Sequence, residues 1–242
     1  MADKLEFPKF SNDGEYLRVV QKDDILTNLG GRDDDHLNFF TTRMLLLLES
    51  RCVHGEHVYL RIVEDVIASY FRDYPDHKQE FSPTFLINDI LRFWKTLCLN
   101  YEHRRNQPND GSTKRIKQKT KNFKLKFSRM LTCFGSVALI VANRNCFRKP
   151  DLVSMCKNTP RQRLETACEG RLSTQGNLSA AFDLYDWFLE ETDVPESDLM
   201  DKFQSTDYKR VAFSKADEFG DHIFSIISDI AGETDYMRYL VI

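Results

Sequence analysis

Apolar residues along the chain recur at intervals of three and four, and the strict alternation of a half-buried strand is hard to find. The pattern predicts an all-α protein, a compact multi-helix bundle. After a polar leader over residues 1–32, Asp33, Asp34 and Asp35 offer cap and first-turn carboxylates for a helix whose apolar body is Phe39, Phe40, Met44 and Leu45 to Leu48. Gly55 breaks that pattern. A second helix from about His57 carries Leu60, Val63, Ile67, Tyr70 and Phe71 on one face and must stop near Pro75. Ser82 and Pro83 read as cap and first residue of a third helix, with Ile87, Ile90, Leu91, Trp94, Leu97, Cys98 and Tyr101 on its apolar face.

Further along, Phe123, Phe127, Met130, Leu131 and Phe134 are spaced as the core face of a helix that continues through Val137 to Asn143. Lys149, Pro150 and Asp151 read as a break, and Thr159 with Pro160 as a helix start. Residues 171–177 read as loop, residues 178–191 as an amphipathic helix through Phe182, Tyr185 and Phe188, and residues 213–230 as another. With no internal repeat and no low-complexity tract, residues 33–242 read as a single helical domain.

Composition narrows the class. The 242 residues are 41% hydrophobic and 29% charged with only 10 Gly and 7 Pro, the make-up of a soluble globular chain. Uninterrupted apolar runs stay far below the roughly 20 residues that cross a bilayer, so no transmembrane helix is expected. The charged start has no apolar h-region, so the expected location is the cytoplasm. Six cysteines at scattered spacings, without a Cys-x-x-Cys pair, read as reduced and mostly buried thiols, and neither a metal nor another cofactor is expected.

Net charge is −3, yet the charge is segregated. The basic segment 103–129 holds ten Lys/Arg and one acid, whereas residues 171–242 hold 15 acids and six Lys/Arg. A basic amphipathic helix with interleaved aromatics suits nucleic acid or an acidic protein surface, and it also suits plain solvation. On the third helix, Asn88, Arg92, Lys95 and Glu102 fall at offsets of 0, 4, 7 and 14, near whole turns. They share a stripe, either a solvated face or the lining of a cleft for phosphate. Lys121, Lys124 and Ser128, at offsets of 0, 3 and 7, would face it from the basic helix. The alternative for the combined set is an ion-pair network that fixes helix packing.

Motif searches exclude several enzymes. Phe134-Gly135-Ser136 offers the turn of a nucleotidyltransferase, but the next residues read as helix and Asp151 lacks a second carboxylate two residues away, so the two-metal site is incomplete. No phosphate-binding glycine loop, nucleophile elbow or zinc helix is present. A metal-independent ribonuclease of HEPN type needs an Arg and a His four to six residues apart, the Arg for phosphate charge and the His for the 2′-OH proton. Arg72 and His77 fit that spacing and are the candidate catalytic pair; Arg51 and His57 fit it as well.

Four ordered stretches carry a family resemblance: NFFTTRMLLLLESR at 38–51, FLINDILRFWKTLCLNYE at 85–102, KNFKLKFSRMLTC at 121–133 and RYLVI at 238–242. They resemble the helical region that accompanies bacterial nucleotidyltransferase-like proteins of the DNA polymerase β superfamily. The resemblance implies a HEPN-like or nucleotidyltransferase-associated helical domain and a role in toxin–antitoxin or antiviral modules. Its polar positions are Arg43, Glu49, Asn88, Asp89, Arg92, Lys95, Glu102, Lys121, Lys124, Lys126, Ser128 and Arg129. All but Glu49 and Lys126 form the expected ligand-binding set. The function expected is that of an accessory or effector protein binding a nucleotide or RNA through a cationic cleft, alone or with a separately encoded nucleotidyltransferase. The alternatives are the HEPN-like ribonuclease and a structural homo-oligomer or protein-interaction module.

Overall fold

A computed structural model describes residues 19–72, 81–106, 111–143 and 148–232. Among them the secondary structure is entirely helical, in the order α1 (Lys22–Thr27), α2 (Arg32–His36), α3 (Phe39–Leu48), α4 (Glu56–Ser69), α5 (Thr84–Arg105), α6 (Ser112–Lys124), a π-helical turn (Leu125–Arg129), α7 (Met130–Ala142), α8 (Lys149–Lys157), α9 (Pro160–Cys168), α10 (Leu172–Thr192), α11 (Glu196–Lys202) and α12 (Thr206–Gly232). The result is a multi-helix bundle.

Helix α7 is its axis. The helix is buried almost all round, from Leu131 through Val141, and packs on α9, α12 and α5. Its contact with α9 is close because Gly135 has no Cβ: one placed there would stand 2.9 Å from the Pro160 carbonyl oxygen. The glycine of the apparent transferase turn therefore serves close helix packing. Helix α12 presents Ala212, Ala216, Phe219, Ile223, Ile226 and Ile230 at intervals of three and four, a stripe facing α7 and α10. Phe123 and Phe127 enter the core between them, with Phe127 stacked on Phe188 at 4.7 Å.

The continuous helical run Ser112–Ala142 is long and apolar enough to cross a bilayer, with a mean hydropathy of 1.5 over 18 residues, but 61% of that window is buried inside the bundle. Counting uninterrupted apolar runs overlooked it, because Thr132 and Ser136 divide the run. Both are accommodated as core polar residues, each hydroxyl donating to the carbonyl four residues back.

Several boundaries differ from expectation. Asp33 to Asp35 build their own short α2, and α3 starts separately after Asn38, whose φ of 61° turns the chain between them. Residues 22–27, assigned to the leader, form α1, which lays Ile25 in the core. Pro83 itself is the residue flanking α5, and the Ser82 carbonyl oxygen accepts from the Thr84 N–H. The expected break at Pro150 is the start of α8, with Asp151 accepting from the Arg148 N–H at 2.8 Å. Residues 172–177 belong to α10, which begins at Leu172. The expected start at Thr159 holds: Thr159 and Gln162 form a reciprocal capping box.

Candidate functional site

The polar residues predicted from sequence divide into two groups held by different partners. The first gathers where α2, α3, α5 and the end of α4 meet. Arg43 of α3 is fully buried, and its guanidinium forks onto Asp34 of α2, Nη1 to Oδ1 at 2.7 Å and Nη2 to Oδ2 at 2.5 Å. Nη1 also donates to the Ile25 carbonyl at 3.0 Å, and Nε reaches the Tyr70 hydroxyl at 3.4 Å. Tyr70 in turn donates to Asp89 of α5 at 2.7 Å. Arg92, one turn further on α5, closes the array from outside. It donates to Asp35 at 2.8 Å, lies within 4 Å of Asp34 and Asp89, and stacks on the Phe40 ring at 3.6 Å.

Burial shapes the charges of this array. It alone would lower the Arg43 guanidinium, but the Asp34 hydrogen bonds and Tyr70 outweigh it and hold the group above its ordinary value. Burial raises Asp89 above the usual carboxylate range, against the Tyr70 hydrogen bond and the neighbouring arginines. The Tyr70 phenol is raised as well, by burial and then by the charge of Asp89. Bidentate pairing fixes α3 to α2, and the Tyr70–Asp89 bond fixes the end of α4 to α5. Arg43, Asp89 and Arg92 are thus brought together, but Arg43 has no surface from which to touch a ligand. Asn88, one turn before Arg92, keeps a buried Oδ1 with no hydrogen-bond donor among the described residues.

The second group lies on α6 and its π turn. A π turn holds more residues than an α turn, and so changes the facing of every side chain beyond it. The uniform α spacing that set Ser128 beside Lys121 and Lys124 is lost, and Ser128 lies beside Tyr185 of α10. Lys126 pairs with Asp217 of α12 at 2.5 Å and Lys117 with Glu196 of α11 at 3.2 Å. Arg129 pairs with Glu49, tying the start of α7 to the end of α3. By contrast, Arg115, Lys119, Lys121 and Lys124 are exposed and have no carboxylate partner among the described residues. Arg104 adds a cation near the end of α5, where its carbonyl accepts from Gln118 of α6 at 2.8 Å and joins the two helices. Lys95 and Glu102 are also exposed, Glu102 pairing with Arg105.

The remaining candidates are dispersed. Arg72 donates to the Leu26 carbonyl at 3.1 Å, and His77 lies outside the described residues. Arg51 donates to the carbonyls of Cys156 and Asn158, pinning the link after α3 to the end of α8. The thiols of Cys133 and Cys156 are pushed up by burial to about 12 and about 11, so both stay protonated at neutral pH. Among the described residues, no group of three or more His, Cys, Asp or Glu side chains is placed to hold a metal ion.

Sequence reasoning missed Arg163 of α9. It is fully buried and donates to the Met155 carbonyl at 3.0 Å, the Ser136 hydroxyl at 2.9 Å and the Leu48 carbonyl at 3.0 Å. One side chain thereby ties α9 to α8, α7 and the end of α3. Burial lowers its guanidinium to about 10, which leaves it charged at neutral pH. Its signal was present: Arg163 sits beside Leu164 and four residues before Ala167, on the apolar face of its helix.

No protein-family model matches the chain, and neither a curated protein nor a solved structure shows significant similarity to it.

Proposed function

We propose that the protein binds RNA through the phosphates of the strand, by way of the exposed cations of α6. The supporting observation is that Arg115, Lys119, Lys121 and Lys124 are all exposed and without carboxylate partners among the described residues, on a helical run that reaches Ala142 without one acid. At about 100° per residue Arg115 and Lys119 lie on one side of α6 and Lys121 and Lys124 on the other, so a strand crossing the helix meets cations on both flanks. A single nucleotide requires a pocket that surrounds it. The buried arginine array cannot serve as one, because Arg43 spends its donors on Asp34, Ile25 and Tyr70. A polymer contacting an open cationic surface has no such need.

In this reading the protein is a cytoplasmic helical accessory or effector of a nucleotidyltransferase-type system, as the family resemblance implies, and RNA binding by α6 is the part of that role its own residues perform. Fluorescence anisotropy with a labelled single-stranded RNA tests it. Affinity is expected to fall as salt rises, with a log–log slope of about −0.7 for each phosphate contacted. The Lys119→Glu/Lys121→Glu/Lys124→Glu variant is expected to abolish binding while its helical circular dichroism is retained. Undiminished binding by a folded triple variant, or a salt-independent affinity, overturns the reading.

A further inference from the structure

Helices α5, α7 and α12 leave an apolar trough of about 200 Å³ between them. Leu91 and Trp94 of α5 form one wall, Met130 and Phe134 of α7 the floor, and Phe224 and Ser228 of α12 the other wall. Trp94 meets Phe134 edge-on at 5.6 Å. Phe224 is 67% exposed, although every other large apolar residue of α12 past Ala216 is turned inward. An apolar cavity of about 150 Å³ holds a benzene ring, so the trough has the size for one phenyl side chain. The same face thus carries a hole and, on its edge, a ring that fits such a hole. Its two rims also differ in charge. Lys95, next to Trp94, and Asp221, three residues before Phe224, are both exposed and have no charged partner among the described residues.

We infer that this face is the contact between two copies of the chain, Phe224 of each seated in the trough of the other. A two-fold axis through the trough exchanges its walls, so that the α12 wall of one copy lies on the α5 wall of its partner and the assembly closes as a dimer. The same rotation brings opposite charges together, Asp221 of one copy toward the partner's Lys95, and does so twice around the axis. Self-complementarity selects a second copy over an unrelated protein, because hole, ring, cation and acid all lie on one face of one chain. Phe224 and Trp94, each buried twice, form an aromatic centre with the charged pairs at its edge, the layout of an interface with anchor residues and a polar rim. The contact uses none of the α6 cations, so it stands apart from the RNA reading.

Sedimentation velocity of the full chain over a concentration series tests the contact. The mass is expected to pass from monomer to dimer by about 100 μM, beyond the weak end of specific interfaces. Phe224→Ala removes mostly exposed surface and favours helix, so it is expected to weaken the dimer at least about thirtyfold with circular dichroism unchanged. Lys95→Glu and Asp221→Lys each set like charges against one another at both rims and are expected to weaken it about tenfold. The double variant Lys95→Glu/Asp221→Lys reverses both partners and is expected to restore the dimer to within about threefold. A chain that stays monomeric at about 100 μM overturns the inference. So does a dimer that Phe224→Ala leaves intact, which places the contact on another face, or a double variant as weak as the single ones.

Discussion

Removing Asp34 is the sharpest test of what the arginine array does. In the native fold Asp34 is 2% exposed and supplies both carboxylate oxygens to Arg43, which is itself fully enclosed. It also accepts the Gly30 N–H at 3.2 Å, where the positive φ of Gly30 turns the chain between α1 and α2. Asp34→Ala leaves a buried guanidinium with one carbonyl, one distant phenol and no counter-charge within its helix pair. Breaking a buried pair from one side costs about 3–5 kcal/mol. For a chain of this size that corresponds to a melting temperature lower by roughly 6–20 °C. The double substitution Asp34→Leu/Arg43→Met removes both charges and keeps apolar volume, so it is expected to cost less than Asp34→Ala alone. Urea unfolding followed by circular dichroism at 222 nm gives the free energies, and RNA anisotropy is run on the same samples. A loss below about 1 kcal/mol for Asp34→Ala, or a double variant worse than the single, refutes the structural assignment. Loss of RNA binding in a folded double variant returns the array to the ligand site.

Three further outcomes are set by the packing and the buried charges. Gly135→Ala gains helix propensity of about 1 kcal/mol but forces α7 away from the Pro160 carbonyl, so a net loss of about 1–3 kcal/mol is expected in urea titrations; a stabilised variant contradicts the close approach. Arg163→Ala strands the buried carbonyls of Leu48 and Met155 and opens a cavity, and is expected to lose at least about 3 kcal/mol, with Arg163→Met losing less because the dehydrated charge goes with the hydrogen bonds. For Asp89 the sign is set by its raised folded pKa. The unfolded chain releases that proton in the ordinary carboxylate range and the folded chain releases it at higher pH, so between the two the folded state holds more protons and stability falls as pH rises. Asp89→Asn, which can still accept from Tyr70, is expected to flatten that part of the stability–pH curve; an unchanged slope assigns it to other groups.

The legible part of this fold was the part written in repeating positions. Helices α4, α5, α7 and α12 bury a face set by spacing alone, and α9 announces itself through Thr159 and Pro160. The short helices α1, α2 and α11 carry too few residues for a period and exist because Ile25, Asp34 and Leu199 find tertiary partners. The π turn has no sequence signature that local reasoning can use, and it interrupts the uniform α spacing from which the face with Ser128 was drawn. Arg43 and Asp34 were both conspicuous in the sequence, one in a family motif and the other in a run of helix-starting acids. Their pairing depends on the turn at Asn38, which no spacing rule supplies.

The segregated charge of the chain yields to the same distinction between pattern and partner. Sequence left two destinations for the basic segment, neutralisation within the protein or an anionic ligand, and the structure shows the first for part of it. Lys117 and Lys126 reach acids on α11 and α12, and Arg129 reaches Glu49, so these three spend charge on joining α6 and α7 to their neighbours. The acids of α10 to α12 have their own engagements: Glu191 is held below its ordinary value by Tyr208 and Lys202, against the opposing effect of burial, and Asp186 is paired with Arg161. Among the described residues no C-terminal acid pairs with Arg115, Lys119, Lys121 or Lys124. Arg115, Lys119, Lys121 and Lys124, without carboxylate partners among the described residues and beside cations that have them, are the charges on which the proposed RNA contact rests.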